Sequence, residues 1–216
     1  MNILILGATS SIGSSIAKRF SSNNNIVLVG RSKTKLNLLK RSITNNKSLN
    51  IDVVQCDLSS NIDAFIENIS ISKIDMLINV VSSTSQLSDS RIINKNIKSD
   101  ISIELINPIR VINALLTNNS KLEIIFISTI LTKILSPYRI IYSSMKRMQE
   151  AYIDNAIINH HYGANLMKVF IGTKINRGSE SAKSIKLADK IFQSYKKNKK
   201  NVFFGIEGLF IYCLFY

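Results

Sequence analysis

The chain has 216 residues and a mass of 24.2 kDa, enough for one domain with a sizeable core. Hydrophobic residues make up 45% and charged residues 19%, which excludes a disordered or fibrous chain. Mean hydropathy is +0.13, yet no uncharged apolar run reaches the roughly 18 residues that a membrane-spanning helix needs. The net charge of +14 is carried by 20 Lys and 8 Arg, and Ile, Asn and Lys together supply 80 residues, a bias of the whole chain. Only 196–200 is densely basic, so the charge reads as a solvated surface and not as a nucleic-acid face.

In chain order, short apolar and β-branched runs at 3–6, 26–29, 51–55, 74–78, 122–127, 165–170 and 202–204 predict strands. Between them, helical periodicity predicts helices over 12–23, 33–46, 60–69, 86–118 (two helices), 138–161 and 179–198. Strands apolar on both faces and separated by helices imply a parallel sheet covered on both sides. Right-handed crossovers make it an α/β fold, a single Rossmann-like doubly wound sheet in three layers. Residues 1–205 form the domain and 206–216 an apolar C-terminal tail. The two cysteines, Cys56 and Cys213, are too few for a disulfide framework and suit a reducing cytosol. No basic segment precedes the first apolar run, so no secretory leader is expected and the location is cytoplasmic.

Gly7-Ala8-Thr9-Ser10-Ser11-Ile12-Gly13 follows the first strand and opens the first helix, the setting of a dinucleotide-phosphate loop. Gly7 permits the tight turn and Gly13 close helix–strand packing. Thr9, Ser10, Ser11 and Ile12 present hydroxyls and backbone N–H groups at the positive helix end. After the second strand stand Gly30, Arg31 and Ser32, where an NAD site usually carries a carboxylate for the ribose 2′-OH. A cation there welcomes a 2′-phosphate, so NADP(H) is expected over NAD.

Tyr142 and Lys146 lie at i and i+4, on one helical face. An ammonium beside a phenol favours the phenolate and brings a tyrosine into the range of a general acid or base. Tyr195 and Lys199 share the spacing, but Tyr195 falls late in a basic helix and reads as structural. Tyr142 follows the fifth strand, near the carboxyl edge where such sheets bind ligands. His160 and His161 are adjacent and face different ways, so no metal is expected.

Together these residues resemble the short-chain dehydrogenase/reductase family over about residues 1–176. Gly7 and Gly13 match the outer glycines of its cofactor loop, and Asp57, followed by Leu58, matches its adenine-binding acid. Asn79 matches the first residue of the Asn-Asn-Ala-Gly motif, and Asn107 the helix asparagine. Thr129 stands 13 residues before Tyr142, where the family has its catalytic Ser, with Pro137 in the loop between. Gly172, followed by Thr173, matches the glycine after the sixth strand. Four departures stand out: Ser11 replaces a central glycine, Val80-Val81-Ser82 replaces Asn-Ala-Gly, Ile171 replaces a proline and, most important, Thr129 replaces the catalytic Ser.

The resemblance implies catalytic residues Asn107, Thr129, Tyr142 and Lys146, with Tyr142 and Lys146 also holding the cofactor ribose. It implies a small-molecule carbonyl or alcohol as substrate and a homodimer or homotetramer. The cations Lys174, Arg177, Lys183 and Lys186 after the sixth strand favour an anionic substrate, sugar-linked or carrier-linked. For the tail two occupants stay open, a neighbouring subunit or peripheral contact with anionic lipid. The departures motivate a second reading, a non-catalytic NADP-binding regulatory or interaction protein on the same fold.

Overall fold

A computed structural model describes residues 1–44, 50–70, 72–82, 97–134, 140–160, 163–173, 175 and 180–205. The strands are β1 (Asn2–Leu6), β2 (Asn25–Gly30), β3 (Ile51–Gln55), β4 (Met76–Asn79), β5 (Glu123–Thr129), β6 (Asn165–Ile171) and β7 (Asn201–Phe204). All pair in parallel, in the order β3-β2-β1-β4-β5-β6-β7. The order reverses between β1 and β4, so the chain leaves those two strands toward opposite faces and opens a crevice at their carboxyl ends.

The side-chain period of two builds both cores from the same strands. Ile3 and Ile5 face α1 (Ser11–Phe20), α2 (Lys33–Thr44) and α7 (Ala182–Lys196), meeting Phe20, Leu36, Leu187 and Ile191. Leu4 and Leu6 face the other way, toward α3 (Asp63–Ser70), α5 (Asn107–Asn118) and α6 (Ile140–His160), meeting Phe65, Val111, Leu115 and Ile153. Each of these side chains is at least nine-tenths buried. Covering such a side chain contributes on the order of 1.5–3 kcal/mol.

The expected strands are present, with ends shifted by up to two residues. The first helix is shorter than its periodicity predicts. It stops at Phe20, where Ser21 closes it with an N–H to the Ala17 carbonyl, and Asn23 turns left-handed at φ 68°. The second correction concerns 86–118. Its described part is one helical run, α4 (Ile97–Ile101) passing through a π-turn (Ser102–Ile106) into α5. The earlier part of that expectation, the tail 206–216 and Pro137 lie outside the described residues. Among the described residues no helix is long and apolar enough to cross a membrane.

Candidate active site

The phosphate loop is shaped by two glycines. Gly7 has φ +81°, and a Cβ there would stand 3.3 Å from the backbone of Val80 and Val81. Its N–H and that of Ala8 both donate to the Val29 carbonyl, at 3.1 and 3.0 Å, which folds the loop back over β2. Gly13 is tighter still: a Cβ would lie 2.3 Å from the Gly7 carbonyl oxygen. Ser10 is the N-cap of α1, accepting from the Gly13 N–H at 3.0 Å and donating to the Gly7 carbonyl at 2.9 Å. Capping accounts for one first-turn donor; the N–H groups of Ser11 and Ile12 belong to the turn that has no intrahelical acceptor. The Ser11 hydroxyl is buried and finds no hydrogen-bond partner among the described residues.

At the β2 end, a Cβ on Gly30 would approach the Thr9 hydroxyl to 3.3 Å. Arg31 is exposed, and its carbonyl accepts from Gln55 Nε2 at 3.0 Å. Ser32 caps α2, accepting the Lys35 N–H at 3.3 Å. Asp57, beyond β3, accepts from the Ser59 N–H at 2.9 Å and the Ser59 hydroxyl at 2.8 Å. The backbone hydrogen bond first, with help from that hydroxyl and from the nearby Arg31 charge, holds its carboxyl below the usual range. Arg31 and Asp57 therefore flank one mouth of the crevice.

Asn79 is fully buried at the end of β4, and its Oδ1 accepts the Val81 N–H at 3.1 Å while its Nδ2 finds no partner among the described residues. The Val80 N–H donates to the Leu6 carbonyl at 3.0 Å, binding this segment to the end of β1. From α6, Lys146 reaches the same place. Its ammonium donates to the Val81 carbonyl at 2.8 Å and to Gln149 Oε1 at 3.2 Å, and lies 5.2 Å from the Phe126 ring centroid. The structure thus brings Gly7, Asn79 and Lys146 to one junction. Tyr142, partly exposed, stands one turn before Lys146 on the same helix.

Ser128 and Thr129 diverge, as neighbours on a strand must. The Ser128 hydroxyl donates to Glu150 of α6 in a short contact. Thr129 Oγ1 instead accepts the Leu131 N–H at 3.3 Å and donates to the Ile171 carbonyl at 3.4 Å, both long bonds. The turn after β5 is clamped to α6: Arg147 donates to the carbonyls of Thr132 and Ile134 at 2.7 and 3.0 Å, and Lys133 faces Glu150 at 3.5 Å.

The Asn107 side chain is directed to the loop after β3. Both N–H groups of its amide go to the carbonyls of Leu58 and Ser60, at 2.9 and 3.1 Å, and its oxygen accepts from Arg110 at 3.3 Å. It ties the loop carrying Asp57 to α5. Gly172 donates to the Phe204 carbonyl at 2.8 Å, and Thr173 packs against Gly205. Tyr195 is a packing residue: its ring lies 6.1 Å from that of Phe20, and burial first, then Glu123, raises its pKa above the ordinary phenol value. Since α7 ends at Lys196, Lys199 lies beyond the helix that would align the pair.

Sequence reading missed one residue of the site. Glu104, on the π-turn, is fully buried with its carboxylate 3.3 Å from the Lys146 ammonium. A lone Glu in a helix pattern reads as solvated surface, and no local signal marks it otherwise.

A doubly wound parallel sheet with a glycine-shaped loop after β1 and a Tyr/Lys helix after β5 defines the class of nucleotide-binding oxidoreductases. A family model described as short chain dehydrogenase matches residues 1–160, and the chain belongs to that family. It is thus an oxidoreductase acting on a carbonyl or alcohol. Among solved structures it is similar to the bulky-bulky ketone specific alcohol dehydrogenase from Comamonas testosteroni, with 20% identity over 94% of this chain and 85% of that one and a TM-score of 0.80. A short-chain dehydrogenase from Sphingobium yanoikuyae in complex with NADPH is similar at 18% identity, over 94% of this chain and 87% of that one, with a TM-score of 0.81. An alcohol dehydrogenase from Thermococcus sibiricus complexed with 5-hydroxy-NADP has 15% identity over 94% of each chain and a TM-score of 0.79. No curated protein matches the chain.

Proposed function

We propose that the protein is an NADP(H)-dependent carbonyl reductase or alcohol dehydrogenase in which Tyr142 exchanges the proton with the substrate oxygen. The observation that carries this reading is the hydrogen bond from Lys146 to the Val81 carbonyl, which fixes the Tyr142 helix to the segment lying against Gly7. Proton donor and phosphate loop then belong to one rigid unit.

The residues present fit a dinucleotide. Gly13 has no room for a Cβ and Gly7 holds a positive φ close to the Val80–Val81 backbone, and among the described residues the buried Ser11 hydroxyl and Asn79 Nδ2 find no partner. The phosphates fall to the N–H groups of Ser11 and Ile12 with the hydroxyls of Thr9 and Ser10, and adenine and its ribose to Asp57, Leu58, Arg31 and Ser32. Asn79, Gly172 and Thr173 border the nicotinamide end, with Tyr142 and Lys146 toward its ribose. The cofactor supplies the hydride when bound. Thr129 polarises the substrate oxygen, since the long bond its hydroxyl donates to the Ile171 carbonyl is easily exchanged for a better acceptor. Lys146 favours the phenolate of Tyr142, and Asn107 acts by holding the Asp57 loop to α5.

The cation-rich stretch after β6 supports an anionic substrate. Its two described acids are already paired, Glu180 with Lys18 at 2.5 Å and Asp189 with Arg19 at 2.6 Å, while Lys183 and Lys186 are exposed. Exposed Ile106, Met148 and Ile158 support a homodimer or homotetramer. Turnover with NADPH across a panel of carbonyl substrates tests the assignment. Tyr142→Phe should abolish it and leave NADPH affinity within about twofold, because only the proton is lost. Undiminished reduction by that variant refutes the reading. The complete burial of Lys146 favours a second reading, a cofactor-binding regulator without turnover. Tight NADPH binding with no reaction on any substrate would establish it.

A further inference from the structure

Glu104 and Lys146 are 0% and 1% exposed at the side chain, which makes them a charge pair sealed in the core. Burying either charge alone is costly, and a pair persists only where its partners are fixed. Fixation here has three parts. Val81 and Gln149 accept hydrogen bonds from the ammonium, at 2.8 and 3.2 Å, and Glu104 Oε2 faces it at 3.3 Å as a charge contact. Gln149 is itself fully buried.

The carboxylate arrives there through a backbone device. Residues 102–106 form a π-turn between α4 and α5. One extra residue per turn rotates the downstream helix by about 100° relative to an uninterrupted one. Such turns recur at functional sites. The rotation lets α5 bury Val111 and Leu115 against the sheet while the turn itself presents Glu104 to α6.

We infer that Glu104 is a positioning residue for proton transfer, the counter-ion that holds the Lys146 ammonium one helical turn from Tyr142 and sets the acidity of the phenol. The inference rests on the reading of Tyr142 as the proton donor. A Lys facing a tyrosine alone favours the phenolate strongly; a Lys already balanced by a carboxylate favours it less. Further charges on the neighbouring turns are Glu150, Arg147 and Asp100. Glu150, one turn further along α6, is engaged by Ser128 and Lys133, and Arg147 is spent on the Thr132 and Ile134 carbonyls. Asp100 is buried on α4, one turn before Glu104.

The test is an ultraviolet-difference titration of the cofactor-free protein, with the Tyr142→Phe protein subtracted to isolate Tyr142 from the other phenols. Glu104→Gln keeps the shape and removes the charge, so the Tyr142 inflection should move to lower pH by about one unit. Glu104→Asp, with its charge drawn back from Lys146, should fall between the two. Adding Lys146→Met to Glu104→Gln should cancel the acid shift, because the charge it exposes is gone. An inflection unmoved or raised in folded Glu104→Gln protein overturns the inference. If Glu104→Gln fails to fold, a Glu104→Asp titration identical to the unaltered protein overturns it. Absence of turnover would sink the assigned function and leave this titration readable.

Discussion

Gly13→Ala sets two known effects against each other. Gly13 lies within α1, and there alanine is worth up to about 1 kcal/mol over glycine by backbone propensity. The space argues the other way. A methyl at this position meets the Gly7 carbonyl oxygen at 2.3 Å, the Ala8 Cα at 2.9 Å and the Gly7 carbonyl carbon at 3.0 Å. All three are backbone atoms, so no rotamer change relieves the clash. The Gly7 oxygen also accepts from the Ser10 N–H at 3.1 Å and its hydroxyl at 2.9 Å, and moving it strains two bonds of about 1 kcal/mol each. Overpacking of this kind costs about 1–3 kcal/mol, so clash and strained bonds together outweigh the helical gain, and a net loss of about 1–3 kcal/mol is expected. At about 2–4 °C per kcal/mol for a chain of this size, Tm should fall by about 2–12 °C. Urea denaturation gives the free energy directly, and calorimetric titration with NADPH should show at least about a tenfold weaker Kd, since the displaced carbonyl carries the phosphate loop with it. A variant as stable as the parent, or more stable, would show that the loop yields and that the steric reasoning is wrong.

Arg31→Asp should move preference from NADPH toward NADH by about 1–2 kcal/mol in relative Kd, the scale of a charge-assisted hydrogen bond; a parent protein that already prefers NADH refutes the charge argument. Burial first, and then the neighbouring Asp57, pushes the Cys56 thiol up to about 11, so in a Cys213→Ser background alkylation should be slow near neutrality and accelerate only toward pH 11. Because that pKa is raised, the neutral thiol's contribution to stability is present below the ordinary thiol value of 9.0 and is lost as pH climbs through 11. Rapid labelling of the folded protein at pH 8 would contradict this. Replacing Lys174 and Arg177 with Gln should raise KM for an anionic substrate and flatten its salt dependence with kcat little changed, and equal KM at low salt counts against an anionic substrate.

Much of this molecule could be read before any coordinates. Runs such as Ile3–Leu6 are apolar at every position, which only a strand covered on both faces requires, and the structure splits that run between two cores. Gly7 and Gly13 were legible for a local reason: each occupies a place where any side chain meets backbone, either in the same loop or across the β1–β4 junction. Tyr142 and Lys146 were legible because an i, i+4 pair is a property of one helix. The choice of Tyr142 over Tyr195 as the candidate was also made nearby, by position relative to the fifth strand.

What only the tertiary structure decided are the partners of long side chains. Asn107 is catalytic by resemblance, and only the fold shows that its side-chain amide goes to carbonyls 49 and 47 residues away, at Leu58 and Ser60. That Thr129 and Ser128 diverge follows from the strand alone, but that Ser128 ends on Glu150 and Thr129 on Ile171 depends on how α6 and β6 flank β5. Glu104 is the sharpest case. Its place depends on a π-turn, whose inserted residue shifts the phase of the hydrophobic period by about 100° without saying which side chain the turn presents to α6. A carboxylate becomes a counter-ion only when the approach of α6 closes off water and leaves the Lys146 ammonium 3.3 Å away. Desolvation belongs to the packed assembly of elements, and no single element of the chain carries it.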